Sequence, residues 1–405
     1  MARGISPSSS CYNPCMSNVE QPLHAEENFE IEVSDLPAMT EPSDRQFSWL
    51  AWKMLVWQRY RHRRLISILF MATLAVLAFI VMLASINMHG SPVTSSVLPS
   101  QHSSNAQASE IETLAQSPDR VYGGHSGAIT SVAWSPDGKR LAAGGYDATV
   151  RIWDGRSGNV LLVYSKHTNA VLDIAWSPDG TRIASVSQDG TAQVWLASSG
   201  KRLFLYRNPA GAISSVTWSP DGTRIAFGTV SGTVQVWNVV TGKHLLSFPG
   251  HATGVRSLAW SPDGTRIAST GDENAVQISD AATGKQLLNY EYHNDVVTDI
   301  TWSPNSLYIA SASFDTTVQV WNACSGERLF TYEGHTDYVY SVAWSPDGTT
   351  IASSSADGTI QVWNAFLGQR IVTFLDQSTS LSWSARGPFI AAGRSDGRVN
   401  LWVAE

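Results

Sequence analysis

Between residues 119 and 405 the chain is cut into short runs with a two-residue hydrophobic period, separated by turn-forming residues. One unit reads VLDIAW, the turn SPDG, TRIASVS, the turn QDG, TAQVW and, after a further turn, KRLFLY. A period of two puts successive side chains on opposite faces of a strand. Pro-Asp-Gly supplies a tight turn, because proline presets φ and glycine accepts positive φ. The unit recurs at a fixed step. Trp134, Trp176, Trp218, Trp260, Trp302 and Trp344 are spaced 42 residues apart, and Trp383 follows after 39. A second series, Trp153, Trp195, Trp237, Trp321, Trp363 and Trp402, keeps the step, with Ser279 standing in its gap. Four short antiparallel strands per unit, repeated seven times, predict an all-β fold, a seven-bladed β-propeller of four-stranded antiparallel blades.

The Gly-His pairs at Gly124-His125, Gly250-His251 and Gly334-His335, with Trp153-Asp154, make residues 119–405 resemble the WD-repeat (WD40) family. The SPDG-rich, nearly identical units are similar to those of bacterial WD-repeat proteins. In that family a blade carries a hydrogen-bonded chain of His, Ser, Asp and Trp. The resemblance assigns this chain to His167, Ser185, Asp189 and Trp195 in the second repeat. It assigns His293, Ser311, Asp315 and Trp321 in the fifth, and His335, Ser353, Asp357 and Trp363 in the sixth. Other repeats depart from it. The third has Pro209, Phe227 and Ser231 at the first three positions, the fourth has Glu273 and Ser279, and the seventh lacks the His. Those blades are expected to rely more on apolar packing. The final unit ends after its third strand, so residues 120–123 are expected to supply its outer strand and close the ring.

A different pattern precedes the repeats. Residues 65–86 form a 22-residue apolar run without a charge, long enough as a helix for a ~30 Å hydrocarbon core. Arg59, Arg61, Arg63 and Arg64 flank its start, and no Lys or Arg occurs between residues 87 and 115. By the positive-inside rule this predicts a single transmembrane helix that leaves the N-terminus cytoplasmic and the propeller extracytoplasmic at a plasma membrane. A cleavable signal peptide is the rival reading, and the length of the run and of its leader favours an uncleaved anchor. Residues 1–64 read as a disordered cytoplasmic tail with a basic, aromatic juxtamembrane segment, and residues 87–118 as a flexible linker. The chain holds no N-x-[ST] sequon, which leans towards a bacterial membrane.

Composition narrows the chemistry. The net charge of −7, and three cysteines in 405 residues, speak against nucleic acid as a partner and against a disulfide-built scaffold. No phosphate-binding loop, nucleophile elbow, zinc-protease or kinase motif occurs, so no catalytic residue, cofactor or metal is expected. Histidines at equivalent positions of different blades are spread around a ring and cannot converge on one ion. Arg140, Arg182, Arg224 and Arg266, which follow the SPDG turns, are expected to be solvated partners of turn aspartates.

Surface recognition remains. In the resembling family, partners dock around the channel mouth, three and five residues after the His and one before the tetrad Asp. Here those positions hold Tyr338 and Tyr340, Phe314, Arg256 and Asp272, Tyr146 and Gln188. A patch spanning the fourth to sixth blades is the expected site for a protein or peptide ligand, with the lipid bilayer as a second partner through residues 65–86. The sequence reading is therefore a membrane-anchored, non-catalytic scaffold or receptor on the extracytoplasmic side. A hydrolase using the propeller channel and a transmembrane sensor are its alternatives.

Overall fold

In the computed structural model, which describes residues 117–404, each repeat folds through its turns. In the first, Ser135 Oγ donates to Asp137 Oδ1 at 2.6 Å, and the same oxygen accepts the Lys139 N–H at 3.1 Å. Gly138 takes a φ of 67°, a region where a Cβ would be strained. This turn joins Ile129–Trp134 to Arg140–Gly145, and Val150–Asp154 and Val160–Tyr164 complete an antiparallel sheet in chain order. The same meander recurs, giving seven four-stranded sheets from 28 strands among the described residues. The seventh is completed by Arg120–Tyr122, paired antiparallel with Val399–Val403 through Arg120↔Leu401 and Tyr122↔Val399. The first and last strands of the described chain thus share one blade, and the ring has no loose end. Residues 117 and 118 aside, the tail, apolar run and linker of the sequence reading lie outside the described residues.

The first strand of every blade packs against the first strands of both neighbours, so seven inner strands surround the axis. Both faces of each blade are covered. Seven apolar clusters fill the seven gaps, each drawn from two adjacent sheets, as with Tyr164, Val171, Ile174, Trp176 and Trp195 between the first two blades. No blade buries its faces alone, and this is why the repeats stand or fall together.

Two polar systems stitch the blades. Around the axis, one residue per inner strand forms a ring in register: Ser131, Asp173, Ser215, Ser257, Asp299, Ser341 and Ser380. Asp173 accepts Ser131 Oγ at 2.8 Å and Ser215 Oγ at 2.9 Å, from the blades on either side. Asp299 accepts Ser257 Oγ at 3.0 Å and Ser341 Oγ at 2.7 Å in the same way, together with the Ile300 and Val342 N–H groups. Both residues are half-buried. Their depth among protein atoms nonetheless raises both pKa values against the pull of these donors, that of Asp299 to about 6.

The second system corrects the expectation for the turn arginines. Arg140, Arg182, Arg224 and Arg266 place their guanidinium groups 4.7–4.8 Å from the ring centres of Trp176, Trp218, Trp260 and Trp302, each in the following blade. Arg140, Arg182 and Arg266 also donate to a backbone carbonyl of the next blade's turn, at Gly180, Gly222 and Ser306. The aspartate contacts exist, at 3.3–4.0 Å from Asp263, Asp179 and Asp221. They are secondary to a cation–π staple between blades. Spacing along one repeat could not show this, because the partner ring lies 36 residues away.

Candidate functional site

Antiparallel connection puts the turns between first and second strands on one end of the propeller and those between second and third on the other. The second end also carries the links between blades, and the tetrads organise it. In the second blade His167 Nδ1 lies 3.0 Å from Asp189 Oδ2 and Nε2 lies 2.8 Å from Ser185 Oγ, which accepts the Trp195 Nε1–H at 3.2 Å. His293, Asp315, Ser311 and Trp321 repeat this at 2.8, 2.8 and 3.2 Å. His335, Asp357, Ser353 and Trp363 do so at 2.9, 2.8 and 3.2 Å. A carboxylate only accepts, so the chain requires a proton on Nδ1, with the serine hydroxyl donating to Nε2. Burial raises the aspartate pKa values. The histidine, threonine and backbone donors outweigh it and hold Asp315 and Asp357 at about 2.

Each tetrad aspartate also accepts the N–H of the residue after its histidine, at Thr168, Asn294 and Thr336. It thereby ties two loops of the second face together. Glutamines missed in the sequence reading extend the chain. Gln193, Gln319 and Gln361 accept the hydroxyls of Tyr164, Tyr290 and Tyr332, whose rings stack 4.1–4.4 Å from the tetrad tryptophans. The signal was there, since these glutamines share the 42-residue step.

The incomplete blades find different substitutes. In the first, Ala143 replaces serine and His125 Nε2 has no partner among the described residues. In the third, Tyr206, Phe227 and Trp237 pack as an aromatic cluster, so apolar contact does replace the tetrad there. In the fourth, Glu273 takes the aspartate's part at 2.7 Å from His251. The seventh departs from the expected apolar packing. Buried Asp376 accepts Trp402 Nε1 at 2.6 Å and Asn400 Nδ2 at 2.9 Å and pairs with Arg394 at 2.8 Å.

On this framework five of the seven expected docking residues come together. Arg256 donates to Asp272 Oδ1 from Nη2 at 2.6 Å and from Nε at 3.1 Å, and its guanidinium lies 5.8 Å from the Phe314 ring centre. Phe314 lies 4.7 Å from Tyr338 and 6.4 Å, edge-on, from Tyr340. Phe314 precedes tetrad Asp315 and Tyr338 follows His335, so the hydrogen-bonded loops hold both. Burial raises the Tyr340 pKa, with Asp337 and Tyr338 adding to it. Tyr146 and Gln188 occupy the same loop position in the first and second blades, two or more blades away around the ring. Burial pushes the Tyr146 phenol up to about 12. Among the described residues no group of three or more His, Cys, Asp or Glu is arranged to hold a metal ion.

Residues 116–154, 158–195, 242–280, 284–322, 326–364 and 369–403 match the WD domain, G-beta repeat family. The chain belongs to the WD40 repeat family. Residues 198–255, across the aromatic third blade, match the anaphase-promoting complex subunit 4 WD40 domain. Over 35 residues the chain is 60% identical to the probable cytosolic iron-sulfur protein assembly protein Ciao1 of Culex quinquefasciatus, covering 9% of this chain and 10% of that protein. Over 63 residues it is 38% identical to the probable cytosolic iron-sulfur protein assembly protein 1 of Cryptococcus neoformans var. neoformans, covering 16% and 13%. The chain therefore spans between 10% and 13% of the length of these curated relatives.

These findings correct the sequence reading of function and place. The relatives are named as cytosolic assembly proteins of a mosquito and a fungus, against the expectation of an extracytoplasmic receptor, channel hydrolase or sensor at a bacterial plasma membrane. No helix among the described residues is long and apolar enough to cross a membrane. The expectation rested on one apolar run and its charged flank. Hydrophobic length satisfies a condition for spanning a bilayer, but it does not report where the folded repeats work.

Proposed function

We propose that the propeller is a non-catalytic protein-binding platform, working in the cytosol, that joins protein partners during the assembly of another protein. The observation that carries this reading is the contact of Arg256, Asp272, Phe314, Tyr338 and Tyr340 across three blades of the channel-mouth face. Arginine and tyrosine are among the residue types that dominate binding hot spots. Side chains already held against one another lose little freedom when a partner packs on them. On a framework repeated at the same offsets in every blade, these loop positions are one place where the scaffold stores a difference between blades. The names of the matched relatives support both the compartment and the kind of process, and make iron–sulfur proteins the first partners to try.

The test compares the full chain with its Arg256→Ala/Tyr338→Ala/Tyr340→Ala variant as baits in a cytosolic extract, followed by binding of one captured protein in purified form. Loss of about 2 kcal/mol or more, a roughly thirtyfold weaker complex, is expected while the circular dichroism spectrum stays unchanged. Equal affinity for both baits would remove the patch from the reading.

A further inference from the structure

At the junction of the sixth and seventh blades a cavity of about 420 Å³ opens on the face opposite the patch. Its lining includes Asp347, Thr350, Trp383, Gly387 and Pro388. The rest of the ring explains why it is there. In six of the seven blades the residue six places after the inner-strand tryptophan packs at the corresponding tryptophan of the next blade or in its cluster. Arg140, Arg182, Arg224 and Arg266 do so as stacked cations. Tyr308 packs in the cluster that holds Trp344, and Phe389 in the cluster that holds Trp134. The sixth blade offers Thr350 instead, a side chain too short to cover a neighbouring indole. Accordingly Trp383 is only partly buried, whereas the other six inner-strand tryptophans are 6–8% exposed.

The residue types that surround an arginine elsewhere also line this junction. At the junctions of Arg182 and Arg266, the guanidinium lies over the indole, its Nη2 donates to the carbonyl four residues beyond that tryptophan, and the turn aspartate offers Oδ2. Here the indole is Trp383, the carbonyl four residues on is that of Gly387, and the aspartate is Asp347. Asp347 Oδ1 accepts Ser345 Oγ and the Thr349 N–H, as the Oδ1 atoms of Asp179 and Asp263 accept the equivalent donors in their turns. A ring, a carboxylate and a carbonyl in this arrangement select a planar cation with divergent N–H groups. We propose that this slot receives an arginine side chain from a partner protein, in the pose that four arginines of the chain itself adopt at other junctions. The inference goes beyond the platform reading, because it concerns the opposite face, and its failure leaves the test of the patch untouched.

The full chain labelled with 5-fluorotryptophan provides the readout, with the Trp383 fluorine resonance assigned by its loss in Trp383→Phe. Acetyl-Gly-Arg-Gly-amide is expected to move that resonance saturably. The citrulline counterpart, a neutral isostere, should bind about tenfold more weakly or worse, as should the arginine peptide with Asp347→Asn. Thr350→Arg fills the slot from within the chain and is expected to abolish the shift. Should that variant fail to fold, Asp347→Asn carries the comparison alone. An immobile Trp383 resonance in the wild type would overturn the proposal, including the case in which one of the chain's own arginines already occupies the slot. Equal binding of the citrulline peptide, or undiminished binding to Thr350→Arg, would overturn it as well.

Discussion

Asp299→Ala is expected to lower the stability of the propeller by about 3 kcal/mol, read as a shift of the urea midpoint of the full chain at pH 7. The carboxylate accepts hydroxyls from the blades on both sides and two backbone N–H groups, and alanine leaves all four donors to find other partners. Its pH dependence has a definite sign. The folded-state pKa is raised to about 6, so the protonated form is favoured in the folded state. The stability this contributes is fully present below the unfolded carboxyl value of 3.8 and is lost as pH rises through about 6. Asp315 and Asp357, held at about 2, act the other way, contributing stability above 3.8 that is lost as pH falls through about 2. Stability should therefore rise from pH 2 to 4 and decline from pH 4 to 6. The decline should be shallower in Asp299→Ala. A wild-type profile that climbs between pH 4 and 6 would show that the hydrogen bonds dominate burial at the ring.

Asp376→Ala is expected to cost about 3 kcal/mol, because it leaves the buried Trp402 and Asn400 N–H groups without their acceptor and Arg394 with Asp396 as its remaining carboxylate. The damage falls on the blade that closes the ring. Amide exchange in Arg120–Tyr122 and Val399–Val403 should accelerate more than in the inner strands of the second to fifth blades. Asp376→Ala/Arg394→Leu, which removes both charges, should recover part of the loss. A penalty below about 1 kcal/mol for Asp376→Ala would mean that apolar packing alone holds this blade.

Much of the candidate face was legible before any coordinates. Arg256, Asp272, Phe314, Tyr338 and Tyr340 stand at repeat positions that a register of 42 residues locates, and the tetrad residues do too. Register says which loop a residue occupies, because every blade turns at the same offsets. It does not say what touches what between blades. The tilted contact of Phe314 with Tyr338 joins the fifth blade to the sixth, and Arg256 reaches the same ring from the fourth. The place where the protein works was misread for another reason. A span was inferred from hydrophobicity in residues 65–86, and hydrophobicity carries no information about the partners of a separate repeat domain.

The sequence by itself determined the strands, the turns, the number of blades and the closing strand. All of these follow from local chemistry, strand periodicity and Pro-Asp-Gly turns, repeated at a fixed step. Tertiary structure alone decided the contacts that cross from one blade to the next. Asp173 and Asp299 become ring acceptors only when serines of two neighbouring blades converge on them. Arg182 becomes a staple only because the angle between blades brings Trp218 beneath it. Thr350, unremarked in the repeat, becomes a missing lid once Trp383 stands beside it. A repeat encodes its own fold within 42 residues, but side-chain reach between neighbouring blades is set by the geometry of the closed ring.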